Sequence, residues 1–166
     1  YISYLAKTEH YEMVLKAGDM ERCIKKLTWA LEEPRVGQCY PNFYAAKLAS
    51  SFGKVVLSGT GGDEIFAGYP WRYFRTTNEE SFSSYIDQYY KYWQRLISNV
   101  EIRNLCKPIA EETKGVWTRN IFEDVFQSKT RSSLKNPEDY INSSLYFEAK
   151  TFLQGLLIME DKLSMH

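Results

Sequence analysis

The sequence predicts an α/β protein, with a parallel-sheet portion over residues 8–76 and an all-helical portion over 77–166. Three observations carry this. Lys54-Val55-Val56-Leu57-Ser58 is a short β-branched apolar run between a helix and a glycine-rich turn, as a buried parallel strand reads. Phe82, Tyr85, Ile86, Tyr89, Tyr90, Trp93, Leu96 and Ile97 recur at i, i+3, i+4 and i+7. Tyr140, Ile141, Leu145, Ala149, Phe152, Leu153, Leu156 and Leu157 line one helical face further on.

The elements follow in order. Tyr11-Glu12-Met13-Val14-Leu15 is a mixed run that reads as a strand. Gly18-Asp19 offers a turn and an N-cap, and Met20, Cys23, Ile24, Leu27 and Leu31 place a helix over 19–32. Residues 32–37 break it, and Pro41 suits the first turn of a second helix that ends near Gly53. The strand 54–58 leads into Gly59-Thr60-Gly61-Gly62, and Asp63-Glu64 open the next helical piece. Helices are expected over 80–97, 101–112 and 117–127. Asn136 as N-cap and Pro137 in the first turn start a last helix that runs to about 160.

Composition excludes several classes. The 166 residues have the length of one domain, and 44% are apolar, enough for a core. Lys plus Arg and Asp plus Glu are each 21, so the net charge is zero. This speaks against nucleic-acid binding through a basic arm and against a polybasic membrane patch. An aromatic share of 16% speaks against disorder. No apolar run is long enough to span a membrane. Cys23, Cys39 and Cys106 are few, odd in number and widely spaced, so a reducing cytoplasm is the expected compartment. Tyr1-Ile2-Ser3-Tyr4 has no signal-peptide pattern, and both ends read as cut. The expectation is a fragment of a longer polypeptide, with self-association as a homodimer among its assemblies.

The densest turn chemistry lies at 58–62. A strand that ends in Ser-Gly-Thr-Gly-Gly and enters a helix presents backbone N–H groups at a helix N-terminus, where phosphate or pyrophosphate can sit. Asp63 and Glu64 beside it would repel a phosphate unless a cation lies between. Mg²⁺ bridging carboxylate and phosphates removes that conflict. The turn is neither a dinucleotide fingerprint nor a P-loop, since Glu64 stands where a glycine is needed and no Gly-Lys pair occurs. The bland alternative is a tight turn with Asp63 as N-cap.

Val55-Val56-Leu57-Ser58-Gly59-Thr60-Gly61-Gly62-Asp63-Glu64-Ile65-Phe66-Ala67-Gly68-Tyr69 resembles a conserved block of glutamine-hydrolysing asparagine synthetases, V-L-S-G-E-G-A-D-E-L-F-G-G-Y. Pro70-Trp71-Arg72-Tyr73 continues the likeness. Tyr146-Phe147-Glu148-Ala149-Lys150-Thr151-Phe152-Leu153, then Glu160-Asp161-Lys162-Leu163-Ser164-Met165, resembles the stretch ending D-R-M-S-M-A. Glu33-Pro34-Arg35 with Tyr40-Pro41 is a weaker match.

The resemblance implies part of a synthetase domain with a Rossmann-like sheet of the ATP-pyrophosphatase type. In that family the domain uses ATP and Mg²⁺ to convert aspartate to its adenylate. Ammonia from glutamine, released in an N-terminal glutaminase domain, then attacks. Neither an N-terminal cysteine nor the motif S-G-G-x-D-S occurs in this sequence, so the fragment alone is expected to be inactive.

The resemblance assigns Ser58, Gly59, Gly61, Gly62 and Asp63 to nucleotide binding, with Asp63 on the metal. Glu64 either shares this role or supports the loop. Arg35 could hold a phosphate or carboxylate through its fork of donors, or lie on the surface. Lys162 falls where the family has a basic residue close to pyrophosphate, the alternative being a solvated lysine. Thr60 replaces a family glutamate near the reacting carboxylate, and its hydroxyl does not ionise. Asparagine synthesis is therefore the expected function. Amidation or ring closure of another carboxylate, or a non-catalytic nucleotide-binding module, are the alternatives. Tyr85, Tyr89, Tyr90 and Trp93 are expected in the core rather than stacked on bases.

Overall fold

The computed structural model describes residues 1–33, 39–79, 81–94, 96–126 and 134–165. Among them there is no β-strand, which overturns the expected parallel sheet and the Rossmann-like fold. The runs 11–15 and 54–58 are both irregular. Val55, Val56 and Leu57 stand 87%, 62% and 96% exposed. A parallel strand takes its hydrogen bonds from neighbouring strands, and the described residues supply none. Apolar, β-branched composition suits a segment to a sheet but does not provide its partner.

The chain forms two compact units, residues 1–59 with 155–166 and residues 60–154. The first holds α1 (Ile2–Leu5), α2 (Asp19–Leu31), α3 (Cys39–Ala49) and most of the final helix. Gly18 is the N-cap of α2, with φ 86°. Asp19 in the first turn accepts the Lys16 N–H at 2.6 Å and pairs with Arg22 at 2.7 Å. Cys23, Leu27 and Leu31 lie four apart on one face of α2 and are buried with Cys39, Met159 and Leu163. None of the three cysteines forms a disulfide.

The second unit holds α4 (Gly62–Ile65), α5 (Pro70–Tyr73), α6 (Phe82–Trp93), α7 (Asn99–Leu105), α8 (Ala110–Thr113), α9 (Thr118–Asp124) and α10 (Pro137–Lys150). Ser81 and Ser84 cap α6 reciprocally. Tyr85, Ile86 and Tyr89 are buried against Phe122, Phe126, Tyr140 and Phe147, with Tyr90 and Trp93 packed at the edge. This is the core expected of that aromatic stripe. Its tightest ring pair is Phe122–Phe147, with centroids 4.3 Å apart.

Two expected helices are broken. The 101–112 segment becomes α7, a 3₁₀ turn at Lys107–Ile109, and α8, because Pro108 has no N–H to continue the ladder. The 137–160 segment becomes α10 and α11 (Phe152–Met165). Thr151 between them leaves helical geometry (φ −122°, ψ −70°), and its hydroxyl donates to the Phe147 carbonyl at 2.7 Å.

Candidate functional site

The glycine turn opens α4. Gly61 is its N-cap with φ 95°, in the left-handed region that a side chain resists, and a Cβ there would press on Leu153 Cδ1 at 3.0 Å. Asp63 is therefore not the N-cap. It is the second residue of the helix and is exposed. Its carboxylate lies against Gly68, where a Cβ would also come within 2.7 Å of the Asp63 Cα, so only glycine fits. The Gly68 N–H donates to the Asp63 carbonyl at 2.8 Å and closes the loop. Gly62 is exposed beside Asp63, and a Cβ on it would meet nothing within 4 Å. Thr60 is half-buried at the start of the turn.

Glu64 turns inward and is 2% exposed. The Tyr69 hydroxyl donates to its Oε1 at 3.0 Å. Burial and this contact push the Tyr69 phenol up to about 12. Glu64 thus supports the loop, one of the two roles its position allowed.

Behind the loop lies a polar network that the sequence reading left without a role. The Arg72 guanidinium carbon sits 3.7 Å from the Tyr69 ring centroid and 4.9 Å from that of Phe152. One of its nitrogens donates to Glu148 Oε2 at 2.9 Å. The same oxygen accepts the Tyr73 hydroxyl at 3.3 Å, and Oε1 accepts the Tyr89 hydroxyl at 2.9 Å. Glu148 is fully buried. Desolvation raises its carboxyl above the ordinary value, against the pull of Arg72 and the two phenols. A signal was present in the sequence. Glu148 stands three residues after Leu145 and seven after Ile141, as a charge on a face of apolar residues.

The other expected site residues belong to the first unit. The Ser58 hydroxyl donates to Glu160 Oε2 at 3.1 Å. Lys162 is half-buried and engaged. Its ammonium donates to the Leu31 carbonyl at 3.0 Å and pairs with Glu32 at 2.7 Å, which closes the C-terminal end of α2. Gly59 is exposed, and a Cβ there would meet nothing within 4 Å. Arg35 lies outside the described residues.

Among the described residues no three His, Cys, Asp or Glu side chains gather as a metal site. The donor set at α4 is one exposed carboxylate. That suits Mg²⁺ held jointly with phosphates, which needs one or two carboxylates and otherwise keeps its waters. It does not suit a cation held by protein groups alone.

The family model described as asparagine synthase matches residues 2–166. This chain belongs to the asparagine synthase family. A Methanocaldococcus jannaschii protein named "Putative asparagine synthetase (glutamine-hydrolyzing) 2" is 27% identical over 145 residues, covering 86% of this chain and 25% of the relative. A Mycobacterium tuberculosis protein bearing the same name without the number is 38% identical over 61 residues, 36% of this chain and 9% of that protein. The chain thus spans a quarter or less of these relatives. No solved structure matches it. No helix among the described residues is long and apolar enough to cross a membrane.

Proposed function

We propose that the chain is part of an ATP-dependent, glutamine-hydrolysing asparagine synthetase, in which aspartate is activated as its adenylate and then amidated by ammonia. Family membership and the relatives' names support the asparagine assignment. The observation that carries the chemistry is an exposed Asp63 in the first turn of a helix that the left-handed Gly61 opens. In this reading Mg²⁺ neutralises phosphate charge when bound. Asp63 holds it. Gly61 turns the chain so that the first N–H groups of α4, Gly62 among them, face the phosphates. Ser58, Gly59 and Gly61 shape the same turn. Arg35 steadies a phosphate or the substrate carboxylate. Lys162 stabilises charge on departing pyrophosphate and exchanges its Glu32 contact for that role. Thr60 lies near the reacting carboxylate.

The rest of the polypeptide contributes the glutaminase domain, and the reaction runs in the cytoplasm. Cysteines without disulfides fit that compartment. A second reading rests on Thr60. A neutral hydroxyl where the family has glutamate favours another acceptor carboxylate or nucleophile over aspartate and ammonia.

ATP–pyrophosphate exchange in the full-length polypeptide tests both readings. Exchange should require aspartate and fall by about a hundredfold or more in Asp63→Ala. Gly62→Ala, which installs the residue of the family block, should leave stability unchanged or raise it by up to about 1 kcal/mol, since alanine suits a helix better, and leave KM for ATP within about twofold. Exchange with a different acid selects the second reading. Exchange untouched by Asp63→Ala removes the glycine turn from the chemistry.

A further inference from the structure

We propose that Arg72 is a positioning residue for the glycine turn: held by Glu148, it fixes Tyr69, and through Tyr69 and Glu64 the short helix that carries Asp63. The catalytic consequence rests on the synthetase reading, whereas the positioning itself does not.

A helix of four residues has no stability of its own. Apolar burial does not hold α4 in place either, because Ile65 is 56% and Phe66 83% exposed. Its anchors are Leu153 over Gly61, the Gly68 N–H on the Asp63 carbonyl, and the buried Glu64 carboxylate. Leu153 is itself buried, and Glu64 reaches further into the polar network through the Tyr69 hydroxyl. Tyr69 is in turn covered by the guanidinium plane of Arg72. Among the described residues the carboxylate partner of Arg72 is Glu148, which also accepts hydroxyls from α5 and α6. Three consecutive contacts therefore join the turn to the aromatic core of its own unit. A planar, stacked, charge-paired group transmits orientation better than a flexible ammonium, so lysine at 72 would keep the charge and lose the alignment.

The test uses the full-length polypeptide with Arg72→Lys and, separately, Tyr69→Phe. The second keeps the ring over Arg72 and removes only the donor to Glu64. Without nucleotide, amide hydrogen exchange at residues 63–66 should accelerate about tenfold in both variants, while residues 85–89 of α6 stay as protected as in the parent. If the competent turn is populated about tenfold less, apparent affinity falls by the same factor. KM for ATP should then rise about tenfold, with kcat at saturating ATP within about twofold.

Unchanged exchange at 63–66 overturns the proposal. So does equal acceleration in α6, which would make Arg72 a general support of the core. A fall in kcat at constant KM also overturns it. If the parent shows no acid-dependent pyrophosphate exchange, the synthetase reading fails and the amide comparison alone decides the positioning.

Discussion

Ala67 has φ 59°, a left-handed conformation that an L side chain resists, at a position where the family block has glycine. Ala67→Gly should relieve this strain. The gain is partly offset because glycine also loosens the unfolded chain, so a net rise of about 0.5 kcal/mol is expected in denaturant unfolding. Its neighbour behaves oppositely. Gly68→Ala drives a Cβ into the Asp63 backbone, which cannot swing aside as a flexible side-chain end could. The expected loss is about 2 kcal/mol, with exchange activity impaired because Asp63 is displaced. Equal tolerance of both changes would show that the loop is not held as described. Asp63, Gly61 and Gly62 were legible as a helix-opening turn from residue type and order. The inward turn of Glu64 was left open by the sequence, since its direction depends on Tyr69 five residues away.

Helix starts were easier to read than helix interiors. Asn136 accepts the Asp139 N–H at 3.0 Å while the Asp139 carboxylate accepts the Asn136 N–H at 3.2 Å, and Pro137 follows in the first turn. Asn136→Ala should lower unfolding free energy by about 1 kcal/mol, measured by thermal or denaturant melts. Asp19–Leu31 emerges where spacing put it, whereas the helix expected over 80–97 spans Phe82–Trp93 and leaves Leu96 outside it and exposed. The interruption at Thr151 was not legible, because threonine is an ordinary helix residue. At the break both its N–H and its hydroxyl bond back to the Phe147 carbonyl, a geometry that the residue type does not dictate. Lys162 is similar. Its place near a helix end is plain in sequence, but its contacts with Leu31 and Glu32 join segments 130 residues apart.

Across the molecule, one buried carboxylate links stability to pH. Glu148 has a folded pKa raised above its ordinary value. Between those two values the folded state binds more protons than the unfolded state. The group's contribution is therefore complete below the ordinary carboxylate range and is lost as pH rises through the folded value. Glu148→Gln removes that titration, so the decline of unfolding free energy above about pH 4.5 should flatten, by at most about 1.4 kcal/mol per pH unit. An unchanged slope across denaturant melts at several pH values would exclude Glu148 as its source. The substitution should itself destabilise, because it leaves the Arg72 charge buried without an ionised partner.

By itself the sequence determined most of the helices with strong apolar spacing, the Asn136 cap, the aromatic core of the second unit, the glycine turn and the family. These follow from local order, in which spacing, cap chemistry and backbone preference act within a few residues. Only the tertiary structure decided the rest. The apolar run 54–58 carried every local mark of a strand, yet it is exposed and irregular, because a strand exists only through hydrogen bonds to another strand. The joining of Glu64, Tyr69, Arg72 and Glu148 into one network was likewise beyond any local pattern. A buried ion pair needs two partners brought together from 76 residues apart, and only the folded chain states which partner each charge has found.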